Sequence, residues 1–377
     1  ISYYFTGTKL ITFVVTKNNF NYKAVSIDST LFHNIINTRT ELETAGAFDK
    51  TIAAANGKKL FTQLLQPVYD IISQKKRLVI IPHNELHYIP FEILVNPATS
   101  AYLLKDFAIS YNYAASFLNK ESKVRVKNDV LAFAPFTAAR PNNDSAAQAF
   151  APLPASMKEV ASLQGKIFTD TAATKNNFLN QAALYPIIHL ATHAQANDKN
   201  PLESFIAFYP QQNSTALQYR LYEPEIYNLK LNNSSLIILS ACETGKGQLI
   251  NGEGLMSLSR AFSYAGCPSV ITSLWKAEDN ATAYLTQKLY FYLQKGYAKD
   301  EALQKAKLDY LDDNTIAPNF KTPAFWAHLV LVGDASPVSS SSTSYWYILA
   351  GFVLLFCIIF AIRKSRFFKS GLIHARA

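Results

Sequence analysis

The chain has 377 residues, of which 49% are hydrophobic and 17% are charged, and its formal net charge is +9. This composition can bury a large core, so it excludes a disordered or low-complexity protein, and the length favours two domains. The three cysteines, Cys242, Cys267 and Cys357, are too few and too scattered for a disulfide framework, and no CxxC pair indicates zinc. Five positive charges fall in residues 363–377, a segment without acids, so we expect a membrane flank and no nucleic-acid partner.

Short apolar runs along the chain predict strands. The chain opens at Ile1, and the run YYFTGTKLITFVV, residues 3–15, is typical of a strand. An opening inside a strand indicates a fragment or a processed piece, and no signal peptide is visible. Many of the later runs lack strict alternation, which suits strands that are covered on both faces. These later runs are residues 77–82, 130–136, 186–191, 205–209, 236–240 and 269–275.

Helical periodicity separates several of these runs. Apolar residues recur every three or four positions, and glycines lie where helices end. The predicted helices are one with Leu255, Leu258 and Phe262 on its buried face and Gly266 at its end, one from the capping residue Asp279 to Gly296, and one over 300–311. Because strands and helices alternate, the sequence predicts an α/β fold with a mostly parallel sheet flanked by helices.

A boundary divides the globular part of the chain. Residues 139–156 are rich in Pro, Asn and small residues and are predicted to be a linker. They separate an N-terminal half, residues 1–138, from a C-terminal half, residues 157–335.

The C-terminal segment predicts a membrane anchor. Residues 345–362 contain 18 consecutive positions without a charge, about the length that crosses one bilayer core. A Ser-rich tether, residues 336–344, precedes this segment, and the basic tail, residues 363–377, follows it. By the positive-inside rule we expect a single-pass protein of a bacterial inner membrane, with a cytoplasmic tail and an extracytoplasmic globular domain.

Two polar stretches follow predicted strands in the C-terminal half. They are HLATHA, residues 189–194, and LSACETG, residues 239–245. Chemistry in a parallel sheet collects at the carboxyl ends of the strands, so His193 and Cys242 are expected to meet in one crevice. Their separation of about 50 residues, with the histidine first, is the spacing of caspases. A nearby imidazole can activate a thiol that is otherwise only a few per cent thiolate at neutral pH.

Several of these residues also fit other interpretations. The alternative for Cys242 is a non-catalytic cysteine buried in the core, since free cysteine is among the most buried residue types. Cys267 has no histidine motif of its own and is expected to be a core residue. His189 and His193 lie about 13 Å apart along a strand, so they cannot share one metal ion, and His189 is predicted to be a packed core histidine. The ETGKG run lacks the spacing of a phosphate-binding loop, and no GxSxG serine motif occurs.

A string of motifs in fixed order resembles the CHAT domain, a caspase-like domain often found behind tetratricopeptide repeats in bacteria. The resemblance covers roughly residues 1–335. The matching stretches are LVIIPHNELHYIPFEIL (78–94), LPASMKEVASL (153–163), HLATHA (189–194), LSACETGKG (239–247), GEGLMSLSRAFSYAGCPSVITSLWKAEDNAT (252–282) and FWAHLVLVGD (325–334). The family is similar to caspases, separases and gingipain-like peptidases. The resemblance implies a cysteine endopeptidase that needs no cofactor or metal and acts on a peptide or protein substrate. It also implies an N-terminal pseudo-peptidase half and upstream repeats that bind a partner.

Carried over to this chain, the resemblance implies that His193 is the general base and Cys242 the nucleophile. The backbone N–H groups of Ala194 and Cys242 would form the oxyanion hole. Two positions depart from the pattern. Ala194 stands where many relatives have glycine, and Ser240 stands where basic-specific relatives have an acid, so no preference for Arg or Lys is implied. The alternative function is a catalytically silent docking or signalling module that retains the fold.

Overall fold

A computed structural model describes residues 1–44, 50–119, 129–138, 150–197, 200–240, 243–244, 254–276 and 278–338, and the single positions 351, 353, 354, 356 and 360. The chain divides into a unit over Ile1–Ser339 and a unit over Ser340–Ala377. In the second unit the five described positions have helical backbone.

The first unit opens with a three-stranded antiparallel sheet, β1 (Ser2–Phe5), β2 (Lys9–Val15) and β3 (Phe20–Ser26). The expected single strand over 3–15 is therefore two strands joined by a turn. The Thr6 hydroxyl accepts from the Lys9 N–H at 3.0 Å and closes this turn around Gly7. A glycine between two threonines is the sequence signal for it.

Twelve further strands form two sheets. An eight-stranded sheet has the order β4-β5-β15-β14-β12-β8-β6-β7, and a four-stranded sheet has the order β11-β10-β9-β13. All described neighbour pairs in the large sheet are parallel except β14–β15. The strands are β4 (Arg77–Ile80), β5 (Ala108–Tyr111), β6 (Val130–Ala134), β7 (Gly165–Thr169), β8 (Ile187–Leu190), β9 (Ala194–Ala196), β10 (Phe205–Ala207), β11 (Arg220–Tyr222), β12 (Leu236–Leu239), β13 (Glu243–Thr244), β14 (Ser269–Ser273) and β15 (Leu329–Gly333).

The described helices pack on both faces of the large sheet. They are α1 (Ser29–Glu43), α2 (Lys50–Leu64), α3 (Tyr69–Ile72), α4 (Ala155–Val160), α5 (Lys175–Gln181), α6 (Ala216–Tyr219), α7 (Glu223–Tyr227), α8 (Gly254–Tyr264), α9 (Asp279–Gln294), α10 (Lys299–Asp312) and α11 (Pro323–Trp326). The predicted C-terminal helices are confirmed as α8, α9 and α10. The N-cap of α9 is Glu278, whose carboxylate accepts from the Ala281 N–H, and not the expected Asp279.

Alternate residues of the central strands belong to two hydrophobic clusters. In β12, Leu236 and Ile238 pack with α9, whereas Ile237 and Leu239 pack with α8. A strand that is buried on both faces needs apolar residues at every position, which explains its lack of alternation. The expected α/β fold with a mostly parallel sheet flanked by helices is confirmed.

Strands from both sides of the predicted linker lie in the large sheet. β4, β5 and β6 come from residues 1–138, and β7, β8, β12, β14 and β15 come from residues 157–335. Residues 139–149 of the linker lie outside the described residues, and α4 begins within its last positions. The division into two halves stays a prediction.

Gly165, at the start of β7, lies too close to the backbone of β6 for a side chain to fit between the two strands. Its φ is +147°, and an added Cβ would lie 2.0 Å from the Val130 carbonyl oxygen. We expect Gly165→Ala to lower the free energy of unfolding by about 2–3 kcal/mol because backbone atoms must move. The matched control is Gly7→Ala, where an added Cβ meets nothing within 4 Å. Denaturant titration should show a change within about 0.5 kcal/mol for the control, and equal losses for both variants would contradict the expectation.

The predicted membrane localisation is corrected. Crossing a bilayer takes a helix of about 20 mostly apolar residues. Within the described part of the chain, no helix reaches the length and hydropathy of a membrane span. The expectation of a single-pass inner-membrane protein, with an extracytoplasmic domain and a cytoplasmic tail, is therefore wrong. Most of residues 345–362, and all of 363–377, lie outside the described residues.

Candidate active site

His193 lies three residues beyond the end of β8, in a segment that hydrogen bonds fix on both sides. The Ala191 N–H donates to the Phe133 carbonyl at 2.9 Å, and the Thr192 hydroxyl donates to the Ala207 carbonyl at 2.6 Å. The Ala207 N–H in turn donates to the His193 carbonyl at 2.8 Å. The histidine is 4% exposed, so its position is set by packing.

The contacts of the His193 ring define which nitrogen can act as a base. Nε2 lies 2.7 Å from the Ala151 carbonyl oxygen. A carbonyl can only accept, so Nε2 carries the hydrogen and the lone pair of the neutral ring is on Nδ1. The Phe150 ring stacks on the imidazole at a centroid distance of 5.4 Å, and the Phe136 ring lies 5.0 Å away. These contacts fix the orientation of the ring.

The strand that precedes Cys242 runs beside the strand that precedes His193. β12 pairs with β8 in parallel, with Leu239 opposite Leu190, and the Ser240 N–H donates to the Leu190 carbonyl at 3.3 Å. His193 and Cys242 each follow their paired leucine by three residues. The two strands therefore lead to the two predicted catalytic residues in the same register.

Cys242 itself lies outside the described residues. Beyond it, β13 pairs with β9 in parallel, with Glu243 opposite Gln195 and Thr244 opposite Ala196. The chain is thus paired with the His193 segment both before and after Cys242.

Ala194, the predicted oxyanion-hole residue, is the first residue of β9. It is 1% exposed and pairs with Ile206 of β10. Ala194 is not one of the described non-glycine residues with positive φ. Alanine therefore fits this strand conformation without the freedom that glycine provides.

His189 is a fully buried histidine, as predicted. Its Nε2 lies 3.1 Å from Glu159 Oε2 and 3.1 Å from Ser240 Oγ, and its Nδ1 lies 3.1 Å from the Tyr290 hydroxyl. Glu159 belongs to α4, Tyr290 to α9, and Ser240 directly follows β12. His189 therefore joins three segments beneath the candidate site. Sequence reasoning identified it as a hydrogen-bonded core residue but did not identify these partners.

Acidic groups lie near the site at the start of α9. Burial raises the pKa of Asp279, and Glu278 and Glu159 raise it further, whereas Lys276 and His193 lower it. Asp279 is thus an acidic residue of the first turn of α9 whose pKa is raised mainly by burial.

Cys267 is a core cysteine, as predicted. It is fully buried, its thiol donates to the Ser269 carbonyl at 3.3 Å, and burial raises its pKa to about 12. Among the described residues, no group of three or more His, Cys, Asp or Glu side chains is arranged to hold a metal ion.

Phe150 and Ala151 are the site residues that sequence reasoning missed. Both fall in the predicted linker, 139–156, which was interpreted as a boundary between halves. The contact of Ala151 with His193 uses a backbone carbonyl, which every residue carries, so no residue type could signal it. An aromatic residue in a segment of small residues was the one available signal for Phe150.

Comparisons with known proteins agree with the motifs. The CHAT domain family model matches residues 54–334. Tetratricopeptide repeat protein 28 of Mus musculus is 22% identical over 72% of this chain, and that of Homo sapiens is 21% identical over 88%. The chain covers 13% and 15% of these two proteins, about one seventh of their length. Both are mammalian, and neither comparison supports the expected bacterial origin.

Two solved structures have similar backbones. Gingipain R, an Arg-specific cysteine proteinase, has a TM-score of 0.44 and 7% identity, over 83% of this chain and 77% of that chain. The separase–securin complex of Saccharomyces cerevisiae has a TM-score of 0.44 and 10% identity, over 81% of this chain and 23% of that chain. The family match spans most of the first unit and contains His193, Ala194 and the sequence position of Cys242. The chain therefore belongs to the CHAT domain family.

Proposed function

We propose that the chain is a cysteine endopeptidase in which His193 and Cys242 form the catalytic pair. The observation that carries this proposal is the register of β8 and β12. Leu190 pairs with Leu239, and His193 and Cys242 each follow their leucine by three residues. The hydrogen bond from His193 Nε2 to the Ala151 carbonyl supports it because it places the basic lone pair on Nδ1.

The reaction follows from these roles. His193 Nδ1 takes the proton of the Cys242 thiol, and the thiolate sulfur forms a bond to the peptide carbonyl carbon. The N–H groups of Ala194 and Cys242 donate to the resulting oxyanion. His193 then gives the proton to the leaving amine as the C–N bond breaks. His193 finally takes a proton from water, whose oxygen bonds to the thioester carbonyl carbon. The C–S bond then breaks, the acid product leaves, and His193 returns the proton to the Cys242 sulfur. No cofactor takes part in this scheme.

The substrate in this proposal is a peptide or protein, and regulation comes from elsewhere in a longer protein. The chain covers about one seventh of relatives that are named for tetratricopeptide repeats. We therefore include upstream repeats, which bind a protein partner, as the regulatory element of the proposal.

A catalytically silent docking module is the second candidate. The observation that favours it is the burial of His193. Its ring stacks on that of Phe150, and the residue is only 4% exposed. A docking module has no need of an activated thiol, so thiol reactivity separates the two candidates.

The test is iodoacetamide labelling of the 377-residue chain from pH 5 to pH 9, with modified cysteines identified by mass spectrometry. A free thiol of pKa near 8.5 is a few per cent thiolate at pH 7, so activation can raise its labelling rate by about 30-fold. We expect rapid labelling of Cys242 below pH 7 in the wild type and loss of this advantage in His193→Ala. Cys267 is the internal control, because its pKa of about 12 keeps it protonated over this whole range.

Labelling of Cys242 that follows an ordinary thiol titration in both proteins would contradict the peptidase proposal. It would favour the docking module. Rapid labelling of Cys267 would show that the fold had opened, and the comparison would then be repeated at lower temperature.

A further inference from the structure

Arg220 lies in line with His193 across the four-stranded sheet. Ala207 of β10 is opposite Arg220 of β11, and the Ala207 N–H donates to the His193 carbonyl on the other side. Directly opposed residues of antiparallel strands project to the same face, so His193 and Arg220 share one face. Two strand spacings separate them, which is about 10 Å.

Aromatic rings surround the guanidinium group of Arg220. Its Cζ lies 4.3 Å from the ring centroid of Phe205, 5.7 Å from that of Tyr219 and 5.8 Å from that of Phe150. Phe150 is also the ring that stacks on His193. One aromatic side chain therefore contacts both the candidate base and this cation.

The guanidinium group has no anion beside it in the described part of the chain. Arg220 Nε is buried without a hydrogen-bond partner, and no described carboxylate forms an ion pair with this side chain. By contrast, Arg77 donates two hydrogen bonds of 2.7 Å to Asp300. The nearby Glu225 is paired with Lys175 at 2.7 Å. Partly buried arginines usually have a carboxylate or phosphate partner, so a position for such a group is open at Arg220.

The order of the strands indicates which side of the cleaved bond would lie near Arg220. The sheet runs from β13, which follows Cys242, through β9, which follows His193, to β11. In a cysteine peptidase the acyl group is attached to the cysteine, and the histidine protonates the leaving amine. The side of His193 away from β13 is therefore the leaving-group side. An extended peptide advances about 3.3 Å per residue, so 10 Å corresponds to about three residues.

We propose that Arg220 binds an Asp or Glu side chain of the substrate within three residues on the C-terminal side of the cleaved bond. This inference rests on the proposed endopeptidase function and adds a substrate preference to it. The carboxylate would accept hydrogen bonds from the guanidinium in a site where aromatic rings limit the access of water and strengthen the ion pair.

The test is digestion of a proteome-derived peptide library by the 377-residue chain, with cleavage sites identified by mass spectrometry. We expect the wild type to favour sites with Asp or Glu in the first three positions after the cleaved bond by about tenfold, the size typical of a charge-assisted hydrogen bond. Arg220→Met preserves an unbranched apolar stem and removes the charge, so it should abolish this preference. Lys166→Met is the matched control, since Lys166 also lies over an aromatic ring, that of Phe168, at 5.2 Å.

Cleavage without an acidic preference, or a preference that Arg220→Met retains, would overturn the inference while leaving the endopeptidase proposal intact. If the chain cleaves no library peptide, protection of Cys242 from iodoacetamide by free tripeptides decides the question. A tripeptide that ends in Asp and has an amidated C-terminus should protect the wild type but not Arg220→Met, and the amidated Asn counterpart should protect neither. Equal protection by both peptides, or by neither, overturns the inference. If Cys242 reacts with iodoacetamide no faster than an ordinary thiol, the endopeptidase proposal is contradicted, and this inference is contradicted with it.

Discussion

Lys307→Met is expected to lower the free energy of unfolding by about 3–5 kcal/mol, because it leaves a buried carboxylate without its cation. Lys307 Nζ lies 2.7 Å from Glu92 Oε1, and the two side chains are 1% and 3% exposed. The second carboxylate oxygen accepts from the Tyr111 hydroxyl at 2.6 Å, and the Phe91 N–H donates to that same hydroxyl oxygen at 2.6 Å. This network joins α10 to β5 and to the segment after β4, so its loss should loosen one edge of the large sheet.

Equilibrium unfolding in guanidinium chloride measures this change. The matched control is Glu43→Gln, which breaks the ion pair of Arg39 and Glu43 in α1. That pair is more exposed, at 14% and 34%, and is expected to contribute about 0.3–0.5 kcal/mol. A loss for Lys307→Met as small as that of the control would show that the buried pair contributes little.

His189→Leu is expected to lower the free energy of unfolding by a similar amount, about 3–5 kcal/mol. The substitution removes the histidine partner of Glu159, which is 5% exposed and among the described residues keeps only a 3.5 Å contact with the Thr286 hydroxyl, and it removes the partner of the Ser240 hydroxyl. The same denaturant titration measures the loss. Ser240 lies two residues before Cys242, so the labelling rate of Cys242 provides a second readout for the position of this strand end.

The double variant His189→Leu, Glu159→Leu tests the cause. It removes both members of the buried hydrogen-bonded pair, and replacing a buried polar pair by apolar residues is often neutral or stabilising. We therefore expect the double variant to recover most of the lost stability, although Ser240 and Tyr290 still lack their partner. A double variant as unstable as the single one would show that packing around the imidazole ring matters more than the partner of the Glu159 carboxyl group.

Much of the large sheet could be predicted because its central strands are buried on both faces. The apolar runs at 77–82, 130–136, 186–191, 236–240 and 269–275 correspond to β4, β6, β8, β12 and β14. The run at 205–209 is also a strand, β10, but it belongs to the four-stranded sheet. Apolarity reveals that a segment is buried, whereas the choice of neighbour depends on register and on connections far along the chain.

Other elements carried too weak a local pattern. β7 is half exposed, and α1 has only four buried residues in fifteen, so neither shows a strong apolar run or stripe. The first expected strand is a hairpin, because a turn at Gly7 interrupts a continuous β-type composition.

At the candidate site, the sequence predicts the residues that carry distinctive chemistry. It does not predict the groups that orient those residues. His193 and Cys242 follow strand ends and carry an imidazole and a thiol, so sequence position and chemistry point to them together. The Ala151 carbonyl and the partners of His189 depend on contacts between segments that are 30 or more residues apart. A preference for acidic substrates would likewise depend on Arg220, which no local motif marks.

The place of β15 has a consequence for how the protein is made. β15 lies between β5 and β14, so β4 and β5 join the rest of the sheet through this strand alone among the described strands. Tyr111 and its neighbour Val332 are about 220 residues apart in the chain. During synthesis on a ribosome, the edge of β5 that pairs with β15 therefore has no partner strand until residues 329–333 have emerged. An exposed strand edge is open to pairing with other chains, so the time between these two events is when the nascent protein most needs protection from aggregation.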